Sequence, residues 1–321
     1  MSEEPVDRRG LFRDLFRQAS DAIVPAIGAR LGPLVPGEPA VGEPAAHRTA
    51  SVEELLLTAA DLGLGGRAEA IERLARRSLR LIPAVDATGE SVGFGGTAMM
   101  DDKREWPSWQ GRALTLLAQV EAGEELGRLL FFWDVLGRPS GCLAAHRGSA
   151  QVLRCDEGRL LAVNGPALPA GGMPGRVAVE LVIPPAGSGA VAELGLGPSE
   201  HDAWETLREE LASLQGTGPV HRPGAAFRVV HRVQGYADAA DGEMELTCEL
   251  ASAGEDVIEG RAKMHPSAPE FLGRSARWEL LAQFSGDGKL GWPWVAQRVY
   301  LWIDRDALAA GELDQVWAIA R

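Results

Sequence analysis

Cysteine is scarce in this chain: 321 residues carry three, Cys142, Cys155 and Cys248, none in a Cys-x-x-Cys spacing. An odd count cannot pair fully within one chain, so neither a disulfide framework nor a zinc ribbon is expected. Long hydrophobic runs are missing too. No stretch approaches the roughly 18 apolar residues a membrane helix needs, so no transmembrane segment is expected. Positive charge is the minority, 32 basic residues against 45 acidic ones, for a formal net charge of −13. That balance argues against general binding to nucleic acid or anionic membrane.

Catalytic signatures are absent as well. There is no phosphate-cradling Gly-x-x-x-x-Gly-Lys-Ser/Thr and no His-Glu-x-x-His. Gly137-Arg138-Pro139-Ser140-Gly141 misses the Gly-x-Ser-x-Gly elbow by one position. The six histidines, His47, His146, His201, His221, His231 and His265, are scattered. His221 and His231 are spaced to meet across a hairpin, but no cysteine or acidic cluster lies beside them, so neither a metal nor a cofactor is expected. Asp7-Arg8-Arg9-Gly10-Leu11-Phe12-Arg13 resembles a twin-arginine start. Asp14, Arg17 and Asp21 interrupt the apolar run such a signal needs, so the expected compartment is the cytoplasm.

What is present divides the chain into four parts. Residues 1–31 form an amphipathic helical arm, with Leu11, Phe12, Leu15, Phe16, Ala19, Ile23 and Ile27 on one stripe, suited to a protein partner. Residues 32–50 are a linker rich in proline and glycine. Residues 51–78 read as a helical hairpin, opened by a Ser51–Glu54 capping box and turned at Gly63-x-Gly65-Gly66, with its second helix running through Arg77. From residue 79 to 321 short β-rich runs take over. Strands are expected at 79–82, 113–120, 129–133, 151–154, 176–183, 227–233, 278–284 and 298–303. Helices are expected at 200–214 (capped by Ser199), 242–250 and 306–319.

This last part repeats itself. Leu116-Leu117-Ala118-Gln119 recurs as Leu280-Leu281-Ala282-Gln283, and Arg128-Leu129-Leu130-Phe131-Phe132-Trp133-Asp134 is echoed by Arg298-Val299-Tyr300-Leu301-Trp302-Ile303-Asp304. Upstream, Gly95-Gly96-Thr97-Ala98 parallels Gln234-Gly235-Tyr236-Ala237. Each copy predicts an apolar strand ending in glutamine, a turn, and an aromatic strand ending near aspartate. Gln119 and Gln283 either satisfy a loop backbone or floor a ligand site. Asp134 and Asp304 either cap turns or form an acid/base couple. Trp133 and Trp302 take matching places and are expected in the core.

Tryptophan is over-supplied, nine against two tyrosines. Trp106-Pro107-Ser108-Trp109 and Trp292-Pro293-Trp294 fall in expected loops, where an exposed indole offers a large rigid recognition surface. Between Tyr236 and Glu259 stand eight acidic residues and no basic one, read as a solvated acidic face.

These motifs carry a family resemblance. The runs Gly95–Ala98, Trp106–Gln119, Gly127–Phe132, His231–Tyr236, Glu243–Glu245, Trp278–Gln283 and Tyr300–Asp304, in that order, resemble the YwqG-like family of bacterial proteins over about residues 79–321. The resemblance implies a mixed α+β fold with internal duplication but supplies no function and no catalytic residues. The expectation is therefore an α+β domain of largely antiparallel sheets in two related halves, about 79–170 and 176–321, with an N-terminal helical extension. Its expected role is a non-catalytic binding module for an unidentified ligand, through Trp106, Trp109, Gln119, Asp134, Gln283, Trp292, Trp294 and Asp304. The alternatives are a hydrolase using Asp134, Asp304 or Asp287, and an adaptor recruited through residues 1–31.

Overall fold

Two hydrophobic runs, Leu129–Trp133 and Val299–Ile303, are too continuous to alternate between core and solvent, and the fold explains them: both lie in strands covered on both faces. The computed structural model describes residues 47–84, 92–102, 104–122, 127–155, 160–217, 229–238, 243–294 and 297–321, and residues 46–321 make one compact unit. The expected arm, the linker through residue 46, His221 and the start of the 227–233 strand lie outside the described residues.

The helices are α1 (Val52–Asp61), α2 (Ala68–Leu74), α3 (Gly189–Ala192), α4 (Pro198–Leu214), α5 (Met244–Ser252), α6 (Ala268–Ser275) and α7 (Arg305–Ala310). The strands are β1 (Arg76–Pro83), β2 (Val92–Phe94), β3 (Ala98–Asp101), β4 (Ser108–Trp109), β5 (Arg112–Ala113), β6 (Thr115–Glu121) and β7 (Arg128–Trp133). They continue as β8 (Ala150–Cys155), β9 (Leu160–Val163), β10 (Met173–Val182), β11 (His231–Val233), β12 (Trp278–Ser285), β13 (Arg298–Asp304) and β14 (Trp317–Ala320). Ten of them build one antiparallel, nearly closed sheet in the order β14-β13-β12-β11-β1-β10-β2-β6-β7-β8. The chain is thus α+β, with largely antiparallel sheet.

The inner face of that sheet gathers Phe94, Phe131, Trp133, Val233, Phe284, Trp292, Trp294 and Leu301 in one cluster. Outside, Leu130 and Phe132 pack with Leu116, Met100, Trp106 and Trp109, while Tyr300 and Trp302 pack under α5 against Met244, Cys248 and Trp317. A fourth cluster joins Leu55, Ala59 and Ile71 of α1 and α2 to Leu181, Trp204 and Leu207. Edge strand β14 is covered by the segment between β7 and β8: Ala320 N donates to Ser140 O, and Trp317 Nε1 to Gly141 O at 2.8 Å. Glycine is required there, because at φ +81° a Cβ on Gly141 would sit 1.9 Å from Ala318 O.

Three expectations need correction. The second helix of the hairpin stops at Leu74, since Arg76–Ser78 already pair with Glu180–Val182. Gly197, not Ser199, is the N-cap of α4, with Pro198 at the first helical position and the Glu200 carboxylate accepting from Gly197 N. Arg67 beside Glu200, helped by that amide, holds the carboxyl down to about 2. The expected 306–319 helix ends at Ala310, where Gly311 turns left-handed at φ +73°; Trp317–Ala320 instead joins the sheet beside β13. The last residues of the expected linker are also tied down: His47 Nε2 lies 2.9 Å from Val179 O, and Gln215 Oε1 accepts from both Ala50 N and Leu181 N.

The two repeated segments have the same local geometry. Pairing of β6 with β7 slips between Leu116 and Ala118, and that of β12 with β13 slips between Leu280 and Ala282, so each copy carries its irregularity at the same leucine. Gly95–Gly96 and Gln234–Gly235 all take positive φ. Gly95 N donates to Leu117 O, and Gln234 N to Leu281 O. Gln119 Oε1 accepts from Met99 N while its Nε2 donates to Thr97 O; Gln283 Oε1 accepts from Asp238 N while its Nε2 donates to Val230 O. The register also corrects one match. Leu116 faces Phe132 and Leu280 faces Trp302, so Trp302 corresponds to Phe132, and Trp133 to Ile303.

Gln283 is fully buried and Gln119 is not. Gln283→Leu leaves Asp238 N without its acceptor, while Val230 O keeps its bond from Ser285 Oγ, and is expected to cost about 1–3 kcal/mol. Gln119→Leu costs less, because water reaches its partners. Urea denaturation of the two variants checks the ranking, which equal costs would refute.

Candidate functional site

Of the eight residues expected to bind ligand, the structure joins Trp109 to Asp134 through Arg112, stacks Trp292 on Trp294 in the core and separates the rest by role. Trp109 ends β4, and Gln110 (φ +48°) and Gly111 (φ +77°) form the tip that returns the chain into β5. Two central residues at positive φ are the mark of a tight hairpin turn. The pairing sets Trp109 opposite Arg112. The Arg112 guanidinium stands over the indole with Cζ 6.0 Å from the ring centre, and its Nη2 lies 2.5 Å from Asp134 Oδ2. Asp134 is 4% exposed and Arg112 47%, so the carboxylate is a buried anchor and the guanidinium a surface group. The other Asp134 oxygen accepts from Gly137 N at 3.1 Å. Trp109 Nε1 donates to Arg147 O, and the His146 ring stands edge-on at 6.4 Å.

Arg112, His146 and Arg147 escaped sequence reasoning. A signal for Arg112 was present: Gln110-Gly111 is a two-residue turn, which makes its flanking residues cross-strand neighbours. His146 and Arg147 arrive from the β7–β8 connection, with no local mark in the sequence.

The remaining candidates hold the fold together. Trp106 donates through Nε1 to Leu114 O and packs edge-on against Phe132 at 5.2 Å. Trp292 and Trp294 correct the expectation of exposed loop tryptophans: they are 2% and 1% exposed, stacked at 4.6 Å, because the 286–294 segment folds into the inner face of the sheet. Asp304 caps α7, its Oδ1 accepting from Asp306 N and Ala307 N, while Oδ2 meets Arg277 Nε at 3.1 Å. Asp287 caps the short turn at Gly288–Leu290 and faces His231. Each carboxylate considered for hydrolysis therefore already serves a turn, a cation or both.

Among the described residues, the acids of the 236–259 stretch do not form one solvated face, although Asp256 and Glu259 are exposed. Glu249 is 1% exposed and holds Arg274 Nε, Arg277 Nε and Trp278 Nε1, each at 2.9 Å. Asp238 pairs with Arg232, Asp256 accepts from Ala144 N, and Glu255 lies 3.8 Å from His265. Burial pushes the Glu245 carboxyl up. Among the described residues, no three His, Cys, Asp or Glu side chains are grouped to hold a metal ion. All three cysteines are free and buried, and burial raises their thiol pKa values, which disfavours the nucleophilic thiolate. No described helix is long and apolar enough to cross a membrane.

His231 sits among Phe94, Phe284 and Trp292, with Nε2 3.5 Å from Asp287 Oδ2. Burial lowers its pKa against the pull of Asp287, and nearby Arg80 lowers it further. Its stabilising contribution is therefore complete above the unfolded value of about 6.5 and is lost as pH falls below it, where the unfolded chain binds a proton the folded one refuses. Stability is expected to fall with a slope on pH as the pH drops below about 6.5. Denaturation at a series of pH values should show that slope, flattened in His231→Gln; an unchanged slope refutes the assignment.

No family model matches the chain, and no curated protein matches it significantly.

Proposed function

We propose that this chain is a non-catalytic recognition module of the YwqG-like kind, built by internal duplication, working in the cytoplasm through the face around Trp109. Duplication is supported by the shared irregularity at Leu117 and Leu281, the matching positive-φ turns and the equivalent clamps made by Gln119 and Gln283. These are the same positions that carry the family resemblance. Three free thiols fit a reducing compartment.

The binding reading rests on one observation. The Trp109 ring keeps part of its surface in solvent under the Arg112 guanidinium, while Trp292 and Trp294 are spent on the core. A part-exposed indole beside an arginine combines the two residue types that dominate recognition hot spots. A thermal-shift screen of the full chain against metabolites, glycans, polyamines and short peptides tests it. A ligand at a hundredfold excess over its Kd adds about 2.7 kcal/mol to stability. The expected result is a shift in the native chain that disappears in Trp109→Ala. A flat screen, or shifts indifferent to that substitution, overturns the reading.

A further inference from the structure

The turn beside Trp109 is strained and charged. Arg138 takes φ +46°, which few non-glycine residues adopt, with its N bonded to Asp134 O. Its side chain is exposed and makes no ion pair among the described residues. Leu136, in the same turn, is 83% exposed. Gly137 brings this turn against the hairpin, since a Cβ there would lie 2.8 Å from Arg112 Nη2. Strain kept at an exposed position calls for a use.

The neighbouring groups are donors. Arg147 is exposed, its guanidinium 5.6 Å from the Trp317 ring centre and bonded to Ser252 O. His146 Nδ1 accepts from Gly141 N, which leaves a proton on Nε2, and burial lowers the pKa of the ring. Arg112, Arg138 and Arg147 are all exposed on the hairpin and the β7–β8 connection, and Asp134 and Asp256, which bond to that connection, already accept from its backbone amides. On a chain of net charge −13 these three exposed arginines are a local source of positive charge. A hairpin tip and a turn project outward, so they suit the surface of another polypeptide.

Resting on the recognition reading above, we propose that the Trp109 face binds an acidic peptide segment carrying an aromatic side chain. The aromatic group packs on Trp109 and Leu136, and flanking carboxylates meet Arg112, Arg138 and Arg147. Charge complementarity selects the acidic segment, and the overall negative charge of the chain repels long polyanions that lack the aromatic anchor.

The test is fluorescence anisotropy of the full chain with a short labelled peptide of glutamates around a central tryptophan. Binding is expected to weaken on the order of tenfold or more in Trp109→Ala, and by several-fold in Arg138→Glu or when salt is raised. Arg73→Glu, an exposed arginine on α2, should leave it unchanged. Replacing the peptide's tryptophan with alanine, or its glutamates with glutamine, should abolish binding. No binding to the native chain, or equal binding by Arg138→Glu or by either altered peptide, overturns the proposal. If the thermal-shift screen still yields a Trp109-dependent hit, only the acidic partner fails; if it yields none, the recognition reading fails with it.

Discussion

Replacing Arg232 with methionine is expected to cost about 3–5 kcal/mol. Arg232 lies in β11 on the outer side of the sheet, 6% exposed, with Nη2 3.2 Å from Glu180 Oε1 and 3.4 Å from Asp238 Oδ1. Its Nη1 donates to Tyr236 O at 2.9 Å. Burial alone would lower its pKa, yet Asp238 and Glu180 outweigh burial and raise it, so the charge stays. Removing the cation leaves the Glu180 and Asp238 carboxylates without their shared counter-charge in a largely buried site, and that penalty is the main cost. Adding Glu180→Gln and Asp238→Asn to Arg232→Met should recover much of the loss, because the stranded charges are then gone. Urea denaturation of the single and triple variants decides it; a triple variant no better than the single one would place the cost in packing instead.

The two halves show why such a cluster is found on one side only. Gly93 faces Gln119 where Arg232 faces Gln283, and Met99 N takes the place of Asp238 N on the glutamine oxygen. The clamp is common to both, and the charges belong to the second half. In the first half the backbone of Leu168 and Pro169 closes over Gly95, where a Cβ would lie 2.3 Å from Leu168 C. The second half places Gln234 at that position, at φ +59°.

Much of this architecture was legible from residue order, and the reasons are local. Paired apolar strands carrying Gln119 and Gln283 announce themselves through β-rich runs with glycine turns, although the strands run on to Glu121 and Ser285 rather than ending at the glutamines, and the Ser51–Glu54 capping box formed as its spacing dictates. Failures came where a distant partner decides. Trp317–Ala320 has helix-compatible residues, and it becomes a strand because β13 offers an open edge. Trp292-Pro293-Trp294 has the composition of a surface loop, and the hydrophobic inner face of the sheet draws it in. Likewise Asp238 and Glu249 look solvated until Arg232, Arg274 and Arg277 arrive from other elements. At the candidate site only the Trp109–Arg112 pairing was local, while Asp134, His146 and Arg147 reach it from the β7–β8 region.

Tryptophan therefore divides into two classes with opposite expected phenotypes. Trp292→Ala should cost about 3–5 kcal/mol, the range for deleting a large buried aromatic side chain. The ring stacks on Trp294 at 4.6 Å, meets His231 edge-on at 5.2 Å and Phe94 at 6.3 Å, and its Nε1 donates to Leu168 O at 3.0 Å. Its loss opens a cavity at the centre of the inner cluster, leaves Leu168 O unpaired and frees the loop that closes over Gly95. Trp109→Ala removes a ring already partly in water and one hydrogen bond to Arg147 O, an expected cost of about 1–2 kcal/mol. Thermal melting of both variants separates the classes, because a core tryptophan lowers Tm strongly and a recognition tryptophan removes binding from a chain that still folds. Similar losses of stability for the two would mean that Trp109 also serves the core, and that the exposed part of its ring is incidental.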